Sequence, residues 1–231
     1  KDVTIDFNGK TYTVNQAVGS AGTETLGFQI LKDNDVTLMN GKLTSTTPVV
    51  SGKEVKMLIQ NYANLTLTDM NLVDNTDHIL YALSNNSGNV ILDGNTNITT
   101  DKVAFDVCKY ASYTEPIVNV NTTGVIAGDI EVTTTEQTNL NISGGTFTVK
   151  IEEAWCANGF IPVKNDDNTW TVKEGKFIAQ TETGDKFETL QEAVNAGTTV
   201  TLLDDATGAG VVINKDVTID FNGKTYTVNQ A

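Results

Sequence analysis

Six stretches of this chain share one pattern, and the pattern leaves few folds open. They begin at Val3 (VTIDFNGKTYTV), Val36 (VTLMNGKLTS), Leu65 (LTLTDMNLVD), Val90 (VILDGNTNIT), Val118 (VNVNTTGVIA) and Leu140 (LNISGGTFTV), with starts 33, 29, 25, 28 and 22 residues apart. Each has apolar residues at its first and third positions, then Asn, Gly or Asp, then a further apolar residue. Period-two alternation marks a strand with one buried face, and the Asn/Gly/Asp punctuation marks a bend. Most follow another apolar stretch: FQIL from Phe28, MLI from Met57, ILYAL from Ile79, VAFDV from Val103 and IEV from Ile130. Such units predict coils of about three short strands, stacked in parallel about 4.8 Å apart. Asp2, Asp35, Asn64, Asn89 and Asn139 immediately precede five of the six segments and are expected to stack as a side-chain ladder at a bend. The expected fold is all-β: a right-handed parallel β-helix, or solenoid, with one short capping helix and a small β-hairpin closing segment. An antiparallel sandwich with hairpins at FNGKTY and MNGKLT is the competing reading. It accounts for two segments where the coil accounts for six.

A second repetition is literal. Residues 1–17 and 215–231 both read KDVTIDFNGKTYTVNQA, an offset of 214 residues in a chain of 231. The chain therefore reads as one period of a tandem array plus an overlap, cut from a longer protein with nearly identical units. An engineered duplication is the other reading. No leader is visible at Lys1, and secretion stays open for such a fragment.

Two segments fall outside the pattern. Residues 185–197 (DKFETLQEAVNAG) predict the one helix: Asp185 as N-cap, Glu188 at capping-box spacing, an apolar stripe of Phe187, Leu190, Ala193 and Val194, and Gly197 as the stop. It precedes the second copy of the first coil and is expected to cover the end of a coil stack. Residues 150–178 predict a β-hairpin in which FIPV and TWTV flank NDDN, with Trp155 and Trp170 packed as a small satellite core. The expected organisation is coils over 1–149, a hairpin cap or linker with Cys156, Trp155 and Trp170 over 150–178, and the helix with the next unit's first coil over 179–231. That last part is expected to be a truncated unit or to complete a neighbouring molecule.

Composition narrows the chemistry. All 15 basic residues are lysine against 29 acidic residues, for a net charge of −14, which disfavours nucleic acid and anionic membranes. No apolar run is long enough to span a bilayer. A single histidine, His78, removes His-paired metal sites, and the expectation is no metal, no cofactor and no catalytic residue. Asp33-Asn34-Asp35 and Asp166-Asp167-Asn168 supply hard oxygen ligands for calcium, but solvated turns are the better reading. Cys108 and Cys156 read either as a disulfide pinning the closing segment or as two separate buried thiols. Tyr62, Tyr81, Tyr110 and Tyr113 lie in or beside the second set of strands and are the candidate binding residues for a protein or a sugar.

The run FETLQEAVNAGTTVTLLDDATGAGVVINKDVTIDFNGKTYTV resembles the start of pectate-lyase-like parallel β-helix domains in large repeat-bearing surface proteins of gut Firmicutes. The segment EEAWCANGFIPVKNDDNTWTVKEG is similar to a short motif that closes such units. The resemblance implies an extracellular, bacterial cell-surface setting and an adhesin-like role. A lyase of this fold needs an Arg or Lys base among calcium-holding carboxylates, and a polygalacturonase needs an Asp pair with Gly-His-Gly and Arg-x-Lys. The chain has neither set. The function expected is a non-catalytic tandem-repeat module, a stalk or a multivalent binder, with a host protein or glycan on the solenoid flank, neighbouring units at its ends and end-to-end self-association as a further option. A receptor for immunoglobulin or mucin and a carbohydrate-active β-helix enzyme are the rival readings.

Overall fold

The computed structural model of the chain describes residues 1–21, 24–46, 54–74, 76–133 and 139–229. The protein is mostly β, 52% strand with one helix, so strand pairing decides the architecture of its two compact units, Lys1–Lys173 and Glu174–Ala231. In the first unit the strands are β1 (Asp2–Val14), β2 (Leu26–Ile30), β3 (Asp35–Ser45), β4 (Met57–Asn61), β5 (Asn64–Val73), β6 (Tyr81–Asn85) and β7 (Asn89–Asp93). They continue as β8 (Asn97–Val107), β9 (Ile117–Val120), β10 (Val125–Val132), β11 (Leu140–Ile142), β12 (Thr146–Phe147), β13 (Phe160–Lys164) and β14 (Trp170–Glu174). All fourteen join one mixed sheet that curves until it nearly closes.

Successive passes of the chain pair in parallel. β1, β3, β5, β7, β9 and β11 form one ladder, in which Val3, Val36, Leu65, Val90, Val118 and Leu140 follow one another as register partners. These are the first residues of the six aligned sequence segments, so the alternation set the register. Two residues on, Leu38, Leu67, Leu92, Val120 and Ile142 form a fully buried column. A second wall carries the column Phe28, Ile59, Leu83, Phe105 and Ile130 across β2, β4, β6, β8 and β10. A third carries Leu43, Leu72, Ile98, Ile126 and Phe147. The columns face one shared core. Each buried Leu or Ile there contributes roughly 2 kcal/mol by leaving water.

The Asn-Gly pairs make corners within strands rather than hairpins. Asn8 and Asn40 take φ of 51° and 57°, and the chain on both sides of Asn40 remains paired in parallel with β1 and β5. A Cβ on Gly41 would overlap Phe7 Cβ, so the close approach of β1 excludes any other residue there. Two further corners turn inside the core and need internal hydrogen-bond partners. Asn61 and Asn85, both fully buried, stack, with Asn61 Nδ2 donating to Asn85 Oδ1 (2.9 Å) and to the Ala63 carbonyl (2.8 Å). Asn61 Oδ1 accepts from the Ala63 N–H at 3.2 Å. At the other corner Thr96 Oγ1 donates to the Leu67 carbonyl (3.0 Å) and Thr122 Oγ1 to the Thr96 carbonyl (2.8 Å). On the outside, Asn64 Nδ2 donates to Asp35 Oδ1 (2.6 Å) and Asn119 Nδ2 to Asn89 Oδ1 (2.7 Å).

The far end of this unit is closed by the hairpin. β14 runs antiparallel to β12 and is bordered by β13, with Asn168 at φ 66° in the turn. Trp155 and Trp170 pack against the main core rather than forming a satellite, because β14 lies directly on the last pass. The boundary between the compact units falls after Lys173, inside the 150–178 segment.

The second unit contains β15 (Ala179–Thr181), β16 (Lys186–Phe187), α1 (Leu190–Ala196), β17 (Thr199–Leu202), β18 (Ala206–Gly208), β19 (Thr218–Asp220) and β20 (Tyr226–Val228). Its core is Ile178, Ala179, Leu190, Ala193, Val194, Val200 and Leu202. The helix begins four residues later than the sequence suggested. Thr189 is the N-cap, and its capping box closes on Glu192. Asp185 is instead engaged in the β15–β16 turn, where Thr181 N–H donates to its carbonyl (2.9 Å) and Thr183 Oγ1 to its carboxylate (2.7 Å). Gly197 ends the helix with φ −111°; its small size is needed because a Cβ would press on Thr181 and Glu182.

Replacing Asn61 with Leu keeps the volume but leaves the Ala63 N–H and Asn85 Oδ1 without that partner inside the core. The variant is expected to lose about 2–3 kcal/mol in urea unfolding, with an unchanged slope.

Candidate functional site

The turns that carry the chain from the second ladder to the first lie one above another. Residues 32–35, 62–64, 87–88 and 112–114, from four such turns, line a groove of about 700 Å³. Local sequence sets its geometry. Asn61 and Ala63 are buried, and Tyr62 between them is half-exposed, anchored by its N–H to the Ile30 carbonyl at 2.9 Å. Gly88 sits with φ 82° against the Ala63 carbonyl, where a Cβ would collide. The loop after β8 folds down onto these turns. Tyr110 N–H donates to the Asn86 carbonyl (3.0 Å) and Tyr113 N–H to the Tyr110 carbonyl (3.1 Å), with Ala111 at φ 49°. Ser87 Oγ donates to the Thr114 carbonyl (3.1 Å), and Lys109 pairs with Glu115 (2.7 Å).

This folding brings three of the four candidate tyrosines together. Tyr62 and Tyr113 have ring centroids 5.0 Å apart, Tyr62 and Tyr110 5.9 Å, and Tyr110 and Tyr113 6.1 Å. The edge-on and tilted arrangement suits the ring quadrupoles and leaves Tyr110 55% exposed. Burial pushes the Tyr62 phenol above its usual range, so it remains a neutral hydroxyl donor. Elsewhere in the groove lie Lys32, Asp33, Asn34 and Asp35, of which the sequence had raised Asp33-Asn34-Asp35 only as calcium ligands, with a solvated turn preferred. Asn34 Nδ2 is engaged by the Leu31 carbonyl (2.6 Å), and Asp35 Oδ1 by Asn64 (2.6 Å). The combination is aromatic faces beside hydroxyl, amide, ammonium and carboxylate groups. It suits a polyhydroxylated ligand that stacks through its C–H face and hydrogen-bonds at its rim.

The fourth tyrosine is elsewhere. Tyr81 stands on β6, and its Oη bonds Glu131 Oε2 at 3.1 Å. On the neighbouring β8, Asp106 is 5% exposed; it accepts from Ser84 Oγ (3.1 Å) and from the Asn85 N–H. Burial pushes its carboxyl from 3.8 up to about 6, with the nearby Glu131 adding to the shift. The cysteines are also apart in role. Both are free thiols: Cys108 follows β8 and bonds the Asn85 carbonyl through its N–H, whereas Cys156 bridges to Ile142 beside the first ladder. The two are not joined in the structure. Burial pushes the Cys156 thiol up to about 11, which suppresses the thiolate. His78 Nδ1 lies 3.4 Å from Glu54. Asp167 Oδ1 accepts from the Thr169 N–H (3.0 Å) and Oγ1 (2.6 Å) in the hairpin turn. Among the described residues no three His, Cys, Asp or Glu side chains gather as a metal site. Among them, too, no helix is long and apolar enough to cross a membrane.

Comparison of the chain with protein-family models, with curated proteins and with solved structures finds no match.

Asp106 links proton uptake to folding. The folded chain keeps its proton up to about pH 6, whereas an unfolded Asp loses it near 3.8. Between these values the native state binds more protons, so stability falls as pH rises. The contribution from this group is a loss of about 2–3 kcal/mol across the window. Asp106→Asn should flatten the pH dependence of urea unfolding over that range.

Proposed function

We propose that the chain is a non-catalytic, extracellular repeat module of a bacterial surface protein, and that the groove lined by Tyr62 and Tyr113, with Tyr110 packed against both rings, binds a glycan. The parallel passes are read as a right-handed β-helix of the pectate-lyase-like kind. The clustering of Tyr62 from one turn with Tyr110 and Tyr113 from the loop after β8 carries the binding assignment. Aromatic faces beside polar turns recognise sugar rings by stacking and by hydrogen bonds to ring hydroxyls, and need no catalytic group. The literal 17-residue repetition supports a tandem array, and copies of one groove along a stalk raise avidity without improving any single contact. The acidic balance, with no arginine, fits a neutral or cationic ligand better than an anionic one.

A glycan array probed with the whole chain, followed by calorimetry on the hits, tests this. Tyr62→Ala and Tyr113→Ala should each weaken binding about tenfold or more, while Tyr81→Ala leaves it unchanged. Thermal melts of each variant control for folding. A chain that retains no glycan, or an equal loss in all three variants, overturns the assignment.

A further inference from the structure

Tyr62 and Tyr113 stand in a relation that binding a ligand does not require. Their ring centroids are 5.0 Å apart and their planes are tilted by 44°, although the two residues are fifty-one positions apart in the chain. Tyr110 meets Tyr62 edge-on, at 5.9 Å and 78°. The phenol ends converge as well, for burial raises the Tyr62 phenol and the Tyr110 and Tyr113 hydroxyls both add to that rise. The backbone beneath the rings is fixed. The Tyr62 N–H donates to the Ile30 carbonyl (2.9 Å), the Tyr113 N–H to the Tyr110 carbonyl (3.1 Å) and Ser87 Oγ to the Thr114 carbonyl (3.1 Å). Tyr62 and Tyr113 line the groove and are half-buried, so both rings are open to an oxidant at the surface. The other three tyrosines have different neighbours. Tyr81 is turned to Glu131, Tyr226 to the Ala209 carbonyl and Tyr12 to the Phe28 ring.

We infer that Tyr62 and Tyr113 are a modification site, at which hydrogen peroxide and a haem peroxidase join the two rings as dityrosine. Each phenol gives up one electron and one proton and becomes a phenoxyl radical. The two radicals couple through the ring carbons next to their oxygens, which forms one carbon–carbon bond. The hydrogens on those two carbons then move to the oxygens and restore both phenols. One peroxide takes the two electrons and two protons and leaves as two waters, so the atoms balance. Rings joined by a single bond lie edge to edge with twisted planes. The tilted Tyr62–Tyr113 contact reaches that arrangement through small side-chain rotations, whereas the edge-on Tyr62–Tyr110 contact is further from it. Holding the partners together gives each radical an effective concentration of the other far above what encounters between chains supply. The link ties the loop after β8 to the turn after β4, in a unit whose two cysteines are free. It does not depend on what the groove binds.

Treating the whole chain with peroxide and a haem peroxidase tests this. Because thiols quench phenoxyl radicals, the chain carries Cys108→Ser and Cys156→Ser. Dityrosine fluorescence should appear while the product still runs as a single chain on a denaturing gel. Mass spectrometry of a digest should find the Tyr62 and Tyr113 peptides joined, with the loss of two hydrogens. Tyr62→Phe and Tyr113→Phe should each lower the intrachain yield about tenfold or more, because the phenol oxygen is lost while the held pair of rings is kept. Tyr81→Phe should leave the yield unchanged. Phenylalanine preserves the ring packing, and a thermal melt of each variant confirms that it is folded. The inference fails if no joined peptide forms, or if dityrosine appears only between chains and rises with protein concentration. A urea-unfolded chain that gives the same intrachain yield would also sink it, since the folded arrangement would then contribute nothing. So would a Tyr62–Tyr110 link that persists at full yield in Tyr113→Phe.

Discussion

A buried sheet that turns corners must satisfy the backbone groups that leave its ladders, and the first unit depends on how it does so. A peptide group stripped of water without a partner costs a large share of a domain's net stability. Here the partners come from side chains in the core. Asn61 and Asn85 stack at one corner, and Thr96 and Thr122 hand hydrogen bonds from pass to pass at another. These side chains do more than neutralise polar groups. An amide that bonds both its own turn and the next amide fixes the height of one pass on another, and with it the register of all three apolar columns. A slip of one residue would turn Leu65, Leu67 and their stacked neighbours out of the core.

The groove is the outer surface of that same corner. Asn61 points in, Tyr62 points out, and the two cannot be set independently. The loop that brings Tyr110 and Tyr113 is tied to the turn at Ser87, so the aromatic cluster rests on the rigid part of the sheet rather than on a free loop. A binding face supported in this way loses little conformational freedom when it is occupied. Tyr81 stands apart from this cluster. Its strand position directs it to Glu131, fifty residues on in sequence, and away from the turns.

Much of this was legible from residue order alone, for reasons that can be named. The first ladder was readable because alternation and the Asn/Gly corners fix period and phase together, so Val3 through Leu140 align in the observed register. The helix was readable but its start was not. Asp185 with Glu188 and Thr189 with Glu192 offer the same cap spacing, and pairing of Phe187 with Ala179 in β16 and β15 decided between them. Asn61 and Asn85 were invisible as core residues, since a polar residue closing an apolar stretch reads as a turn. Their burial comes from the chain folding back over them. The tyrosines were legible as candidates, but their grouping into a groove was not. Tyr62 and Tyr113 are fifty-one positions apart, and Asn34 is twenty-eight from Tyr62, so only the stacking of turns makes them neighbours.

The ladder has a mechanical side. Each pass is hydrogen-bonded to the pass before it and the pass after it, through parallel strands whose bonds point along the stack. Tension that draws the first and last passes apart loads those bonds a rung at a time, in peeling rather than in shear. One pass lets go before the next is fully strained, and each release frees 22 to 33 residues, judged by the spacing of the repeated segments. That is about 70–110 Å of slack per step at the length of an extended residue. Under load the unit would release chain in discrete increments while the remaining passes keep their fold, a shock absorber whose increments are written in the spacing of its segments.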